Sequence, residues 1–239
     1  MLRSLSVVIA ASALAACQGR AEDGGATVSR NYSVGSFQQI EVAGPYDVEV
    51  RTGSGPSVSG KGGEKLLQRA VVEVQGDKLV IHPENNHGFF QWGWSHHGKV
   101  HFVVTVPQLT GAAIAGSGDI KVDKISGNAF VGEVAGSGGL DLASVEVQSL
   151  KLSIGGSGDV KAGTGHAKTA DYDIAGSGGI DAAAIIAEQA KVSIAGSGSV
   201  KVNATGTADV DVMGSGDVNV TGGAKCTISK AGSGDVRCS

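Results

Sequence analysis

Basic charge, proline and aromatic residues are all scarce in this sequence, and each shortage excludes something. Lys and Arg number 19 against 23 Asp and Glu in 239 residues, so the cationic surplus that a phosphate backbone demands is missing, and no nucleic-acid partner is expected. Four prolines and no Gly-X-Y period rule out a collagen rod. Aromatic residues make up 4% and charged residues 18%, yet hydrophobic residues reach 41% at a net charge of −4, which is not a disordered polyelectrolyte. No segment reads as a long amphipathic helix. Cysteine appears three times, as Cys17, Cys226 and Cys238. What the chain does have is glycine: 39 residues, roughly twice the usual share.

Met1 to Ala16 reads as a signal peptide. Arg3 is its only charge, and the apolar run from Leu5 to Ala16, at ~12 residues, is short of the ~20 that span a bilayer. Its end, Leu14-Ala15-Ala16-Cys17, resembles the lipobox of bacterial lipoproteins, in which the cysteine is acylated and heads the mature chain. The resemblance implies lipidation of Cys17 and a membrane partner held by a lipid anchor, because more than one acyl chain on one residue anchors stably. An ordinary secreted protein with a cysteine near its cleavage site is the alternative. Gln18 in the second position, rather than Asp, resembles lipoproteins sorted to the outer membrane, on its periplasmic or surface face. Residues 17–27 then form the lipidated cysteine and a flexible tether, and residues 28–239 a single domain.

That domain carries an internal repeat. The tripeptide Gly-Ser-Gly begins at Gly116, Gly136, Gly156, Gly176, Gly196, Gly214 and Gly232, at spacings of 20, 20, 20, 20, 18 and 18. Apolar residues alternate on both sides of it, the pattern of strand, tight turn and strand. Aligned repeats give two apolar columns, Ile114-Val134-Ile154-Ile174-Ile194-Val212-Lys230 and Ile120-Leu140-Val160-Ile180-Val200-Val218-Val236. The outward column Lys121-Asp141-Lys161-Asp181-Lys201-Asn219-Arg237 alternates in sign, as does Lys151-Asp171-Lys191-Asp209. If each repeat is one coil, stacked ~4.8 Å from the next, every lysine sits between two carboxylates, where opposite charges attract modestly. A hairpin meander has no need of that alternation; an in-register solenoid does. The column Asp119-Gly139-Asp159-Gly179-Ser199 likewise keeps acids apart. The expected fold is all-β, a single-stranded parallel β-helix with ~20-residue coils marked by Gly-Ser-Gly turns, each coil burying its apolar side by stacking.

The last coil of such a stack needs protection. There the apolar column turns to Lys230, and Cys226 and Cys238 both fall on inward positions. A disulfide between them, in an oxidising compartment, would fasten the end; two free buried thiols are the alternative.

Residues 28–110 are less regular. Val42-Ala43-Gly44-Pro45-Tyr46-Asp47-Val48-Glu49-Val50 matches the later repeat with Pro-Tyr in place of Ser-Gly. Further strands are expected over 36–42, 46–51, 70–75, 78–82 and 99–106, with a helical turn within Gly63 to Ala70 and longer loops on the early coils. Phe37-x-x-Ile40-x-Val42, Asp47-Val48-x-Val50, Leu66-Leu67, Leu79-Val80-Ile81 and Val104-x-Val106-Pro107-x-Leu109, followed by the Gly-Ser-Gly coils, resemble in order the bacterial family described as putative auto-transporter adhesin, head GIN domain. The likeness covers roughly residues 30–239. It implies a right-handed β-helix and an exported, often lipidated, adhesin-like protein, and brings no functional residues with it.

One stretch departs from this plain chemistry. Between His82 and His101 lie five of the six histidines and both tryptophans. Residues 83–98 read as a loop, with His87, Phe89, Phe90, Trp92, Trp94, His96 and His97 as candidate binding residues. Rigid scaffolds carry recognition on such loops, and aromatic faces there stack on sugar rings or mark a protein interface. The reading preferred over these is that the aromatics fold back to cap the N-terminal end of the β-helix, with the histidines solvated. A specific metal site is disfavoured, because the adjacent His96 and His97 face opposite ways on a strand. No cofactor is expected.

Other candidates carry less. Asp171 with Asp173, and Asp209 with Asp211, place acid pairs outward as calcium ligands do, but lysines in adjacent coils compensate them. The serine column, Ser117 and its six equivalents, has no base beside it for nucleophilic chemistry; its hydroxyls are expected to hydrogen-bond one another or local backbone. The sequence therefore points to a non-enzymatic envelope lipoprotein, an adhesin-like or scaffolding β-solenoid with glycan or envelope protein as partner. A carbohydrate-active β-helix enzyme or polysaccharide-binding protein is the alternative, and fold alone does not separate them.

Overall fold

The computed structural model describes residues 25–84 and 99–239. The front part comprises β1 (Thr27–Tyr32), β2 (Gln39–Ala43), β3 (Tyr46–Thr52), β4 (Ser57–Gly63), the five-residue helix α1 (Glu64–Gln68), β5 (Ala70–Gln75), β6 (Lys78–Pro83) and β7 (Val100–Val106). The rest comprises β8 (Gly111–Gly116), β9 (Asp119–Val122), β10 (Ile125–Gly136), β11 (Gly139–Gly156), β12 (Asp159–Gly176), β13 (Gly179–Gly196), β14 (Ser199–Gly214), β15 (Asp217–Thr221), β16 (Lys225–Gly232) and β17 (Val236–Cys238). Among the described residues no helix is long and apolar enough to cross a membrane.

The molecule is a β-solenoid of stacked parallel coils. In β11 the inward residues are Leu140, Leu142, Val145, Val147, Leu150, Leu152 and Ile154. Strict alternation breaks twice, at Ala143-Ser144 and at Gln148-Ser149, where two successive residues face out and the strand bends. The Gly-Ser-Gly turn makes the third corner, so each coil has three sides. Coils pair in register over their whole length, as in Gly139↔Asp159 through Gly156↔Gly176. The shorter 18-residue spacing is absorbed at two corners, where the register shifts between Ala182 and Ile186 and again between Ala187 and Gln189.

Close stacking explains the glycines. The first of each turn has positive φ, from 126° at Gly214 to 138° at Gly176, a region that L side chains rarely enter. The third faces inward, and a Cβ on Gly138 would overlap the carbonyl oxygen of Gly118 in the coil before. The central serine is exposed. Its backbone N–H, as in Ser137 to Gly116 O at 2.9 Å, continues the ladder. Along the serine column it is the main chain that carries the ladder bonds.

The Asp/Gly column has a cause other than charge separation. Asp119 Oδ1 accepts the Gly139 N–H at 2.9 Å, and Asp159 Oδ1 accepts the Gly179 N–H at 3.1 Å. A Cβ on Gly139 would stand 2.9 Å from that Asp119 oxygen. Asp119 and Asp159 each cap a glycine of the next coil, and Asp217 accepts the Asp235 N–H at 2.8 Å in the same way, so the bond tolerates a side chain at the receiving position.

The front coils do not stack in chain order. β2 and β3 lie between β6–β7 on one side and β8–β9 on the other, all parallel. The later coil β6–β7 is therefore the outer one. Over it lies an antiparallel cap: β5 on β6, and β4 on β7 with β1 beyond. α1 adds buried Leu66 and Leu67 to the core. Phe102, fully buried, packs edge-on against Tyr46 with ring centroids 5.6 Å apart. A Cβ on Gly60 would come within 2.8 Å of the Phe102 ring. β1 and β4 were not among the expected strands, and β1 begins inside the span read as tether.

At the other end Cys226 and Cys238 are disulfide-bonded, with Cα atoms 6.6 Å apart. They share the inward columns, yet Cys226 is half-buried and Cys238 exposed, because no coil covers them among the described residues.

Candidate functional site

The first candidate is the corner from which the aromatic segment departs. In the coil β2–β3 this corner is turned by Gly44 and Pro45, and in β8–β9 by Ser117 and Gly118. Between Pro83 and Val100, in the outer coil, the same corner holds sixteen residues, 84–99. His87, Phe89, Phe90, Trp92, Trp94, His96 and His97 all lie outside the described residues, as does Cys17.

Both flanks of the segment are tied to the scaffold. His82 Nδ1 stands 2.9 Å from the Pro83 carbonyl oxygen, and its Nε2 3.3 Å from Glu73 Oε1 on β5. On the other flank Lys99 Nζ donates to Asp47 Oδ2 at 3.1 Å, and His101 Nε2 lies 3.7 Å from Glu49 Oε2. Arg51 donates to Glu49 at 2.8 Å and, with help from His101, holds that carboxyl below its usual range. Hydrogen bonds from Gln75 and His82 lower Glu73 likewise. The two flanking histidines are thus each committed to a carboxylate on a neighbouring strand.

The second candidate is an open groove of about 660 Å³ along the third side of the last coils. Its apolar floor includes Ile154, Ile174 and Ile194, beside the small residues Gly155, Ala175 and Ala195. A rail of Ser153, Asp173, Ser193, Asp211 and Ser229 borders it. Ser153 opposes Asp173 across the ladder, and Ser193 opposes Asp211, so acids recur every second coil.

The charged rows follow the expected register. Lys121, Asp141, Lys161, Asp181 and Lys201 stand opposite one another in successive coils, with Glu49 above Lys121. Few reach ion-pair distance: Lys201 is 3.8 Å from Asp181, while Lys151 reaches diagonally to Asp173 at 4.0 Å rather than to its opposite number Asp171. Pairs this exposed contribute modestly. The acid pairs Asp171–Asp173 and Asp209–Asp211 sit with Lys191 between Asp171 and Asp209. Among the described residues no three His, Cys, Asp or Glu side chains converge as metal ligands do. His166 stands on the second side of its coil, between Glu146 and Ile186 in its row, away from the serine corner.

Comparison with known proteins bears on the whole arrangement. The family model described as putative auto-transporter adhesin, head GIN domain, matches residues 36–224. Among solved structures, a putative adhesin from Bacteroides fragilis superposes with a TM-score of 0.79 at 23% identity, covering 90% of this chain and 98% of its own. A putative lipid binding protein from Parabacteroides distasonis gives 0.68 at 25% identity, covering 90% and 97%. A putative adhesin from Parabacteroides merdae gives 0.61 at 20%, with the same coverage. No curated protein matches. The family match takes in the front coils, the cap apart from β1, and the Gly-Ser-Gly coils as far as β15, and the chain belongs to the family of putative auto-transporter adhesins with a head GIN domain.

Proposed function

We propose that this chain is a non-enzymatic, adhesin-like module of the bacterial cell envelope, anchored to the outer membrane through lipid on Cys17, and that it engages glycan or an envelope protein through residues 83–98. The observation that carries this reading is the sixteen-residue connection between β6 and β7, where neighbouring coils use two. Rigid scaffolds carry recognition on such connections. Membership in a family described as adhesins supports a binding role. Two outward rows fit it too: Lys121 to Lys201 alternates in charge, and Gly155, Ala175 and Ala195 are small.

The test is direct. Isolated cell envelopes are titrated with the wild-type protein and with the double variant Trp92→Ala/Trp94→Ala. Loss of two stacking rings is expected to weaken binding at least tenfold, with the melting temperature unchanged. Equal binding by the two proteins would discard the aromatic segment as the contact.

A further inference from the structure

The terminal coil is held differently from every coil before it. In the coil beneath, Ala208, Val210, Val212, Val218 and Val220 are all buried. Their ladder partners are Cys226, Ile228, Lys230, Val236 and Cys238. Of these five, Cys226 and Val236 are only half-buried, Cys238 and Lys230 are exposed, and Ile228 is 46% exposed. Lys230 reaches across the turn to donate to the Gly234 carbonyl at 2.7 Å. Full apolar burial thus ends with Val220, and beyond it the chain is kept in place by partial packing of Ala224, Cys226 and Val236, by backbone ladder bonds, by the Asp235 N–H to Asp217 Oδ1 bond and by one covalent link.

That link joins the start of β16 to the end of β17, with a sequence separation of 12. We propose that the Cys226–Cys238 disulfide is a dithiol-reducible clasp: opening it releases β16 and β17 and bares the β14–β15 edge, while the coils behind stay folded. The exposure of Cys238 gives a reductant access. A thiolate of a dithiol reductant attacks Cys238 Sγ, forms a mixed disulfide and expels Cys226 as thiolate. The reductant's second thiolate then displaces Cys238. Two electrons pass to the protein, both cysteines end as thiols carrying the dithiol's two protons, and the reductant leaves as its own disulfide. Localisation of the change follows from stacking, since each coil touches only its neighbours, and an end unit opens without the rest.

The experiment is hydrogen exchange with peptide-level mass spectrometry on the oxidised chain, the chain treated with dithiothreitol under native conditions, and the Cys226→Ser/Cys238→Ser variant. Treated and variant proteins are expected to lose about a hundredfold of amide protection over 225–238, the effect of a loop of this length, and none over β11–β13. Unchanged protection at 225–238 overturns the clasp. So does a disulfide that dithiothreitol reduces only after denaturation, or protection lost along the whole solenoid.

Discussion

Tyr172 shows how single residues fill the stack. In its coil the inward positions 162, 167 and 170 are all alanine, and the large ring occupies the space they leave. Its hydroxyl is buried without a hydrogen-bond partner, so it is desolvated for nothing in return. Tyr172→Phe is therefore expected to be neutral or to stabilise by up to about 1 kcal/mol in chemical denaturation. Burial also pushes this phenol well above its ordinary value of 10.0, and pushes Tyr46 up to about 12. The folded-state values are raised, so both groups favour the folded chain fully below pH 10.0 and lose that contribution as pH climbs through the folded values. Denaturation midpoints measured from pH 9 to 12 should fall with pH, and fall less steeply in Tyr172→Phe.

A coil is legible in sequence because its neighbours repeat it. Position modulo twenty placed Lys151, Asp171 and Lys191 in one row, and they stand opposite one another in β11, β12 and β13. Asp171→Lys would set three cations in consecutive coils. A loss of roughly 0.5–1 kcal/mol is expected at low ionic strength, shrinking in molar salt; an equal midpoint at both salt concentrations would contradict the register. The cap was harder to read. β4 carries Gly60, Gly62 and Gly63, residues that weaken a strand pattern; Gly60 makes sense beside Phe102 and Gly62 beside Val100, both roughly forty positions away. The interleaving of β2 between β6 and β8 was equally hidden, since Ile40, Leu79 and Ala112 suit the same column in any order. As for the candidate site, the aromatic segment announces itself by composition, whereas the carboxylates that hold its flanks, Glu73, Asp47 and Glu49, come from strands distant in sequence. The groove left no mark beyond a row of small residues.

At the scale of the whole molecule, the two ends are built on different principles. One is covered by α1, β1, β4 and β5, with the free edges of β6 and β7 paired by antiparallel strands. The other is closed by a covalent bond and a lysine. The chain enters the stack at the covered end, through β1, shortly after Cys17. Cys17→Ser is expected to abolish acyl labelling and move the protein from the membrane to the soluble fraction of cells, with its far-ultraviolet spectrum retained. Membrane retention of that variant would remove the lipid anchor from the functional reading.

The interleaved front coils also govern how the molecule bears load. Tension applied at the amino end reaches β2 only after β1 has been torn from β4, and β2 is gripped by a parallel neighbour on each side. Two ladders must then shear together before any coil comes loose. A tip that unwound turn by turn would make a poor tether; this one resists like a knot drawn under its own standing line.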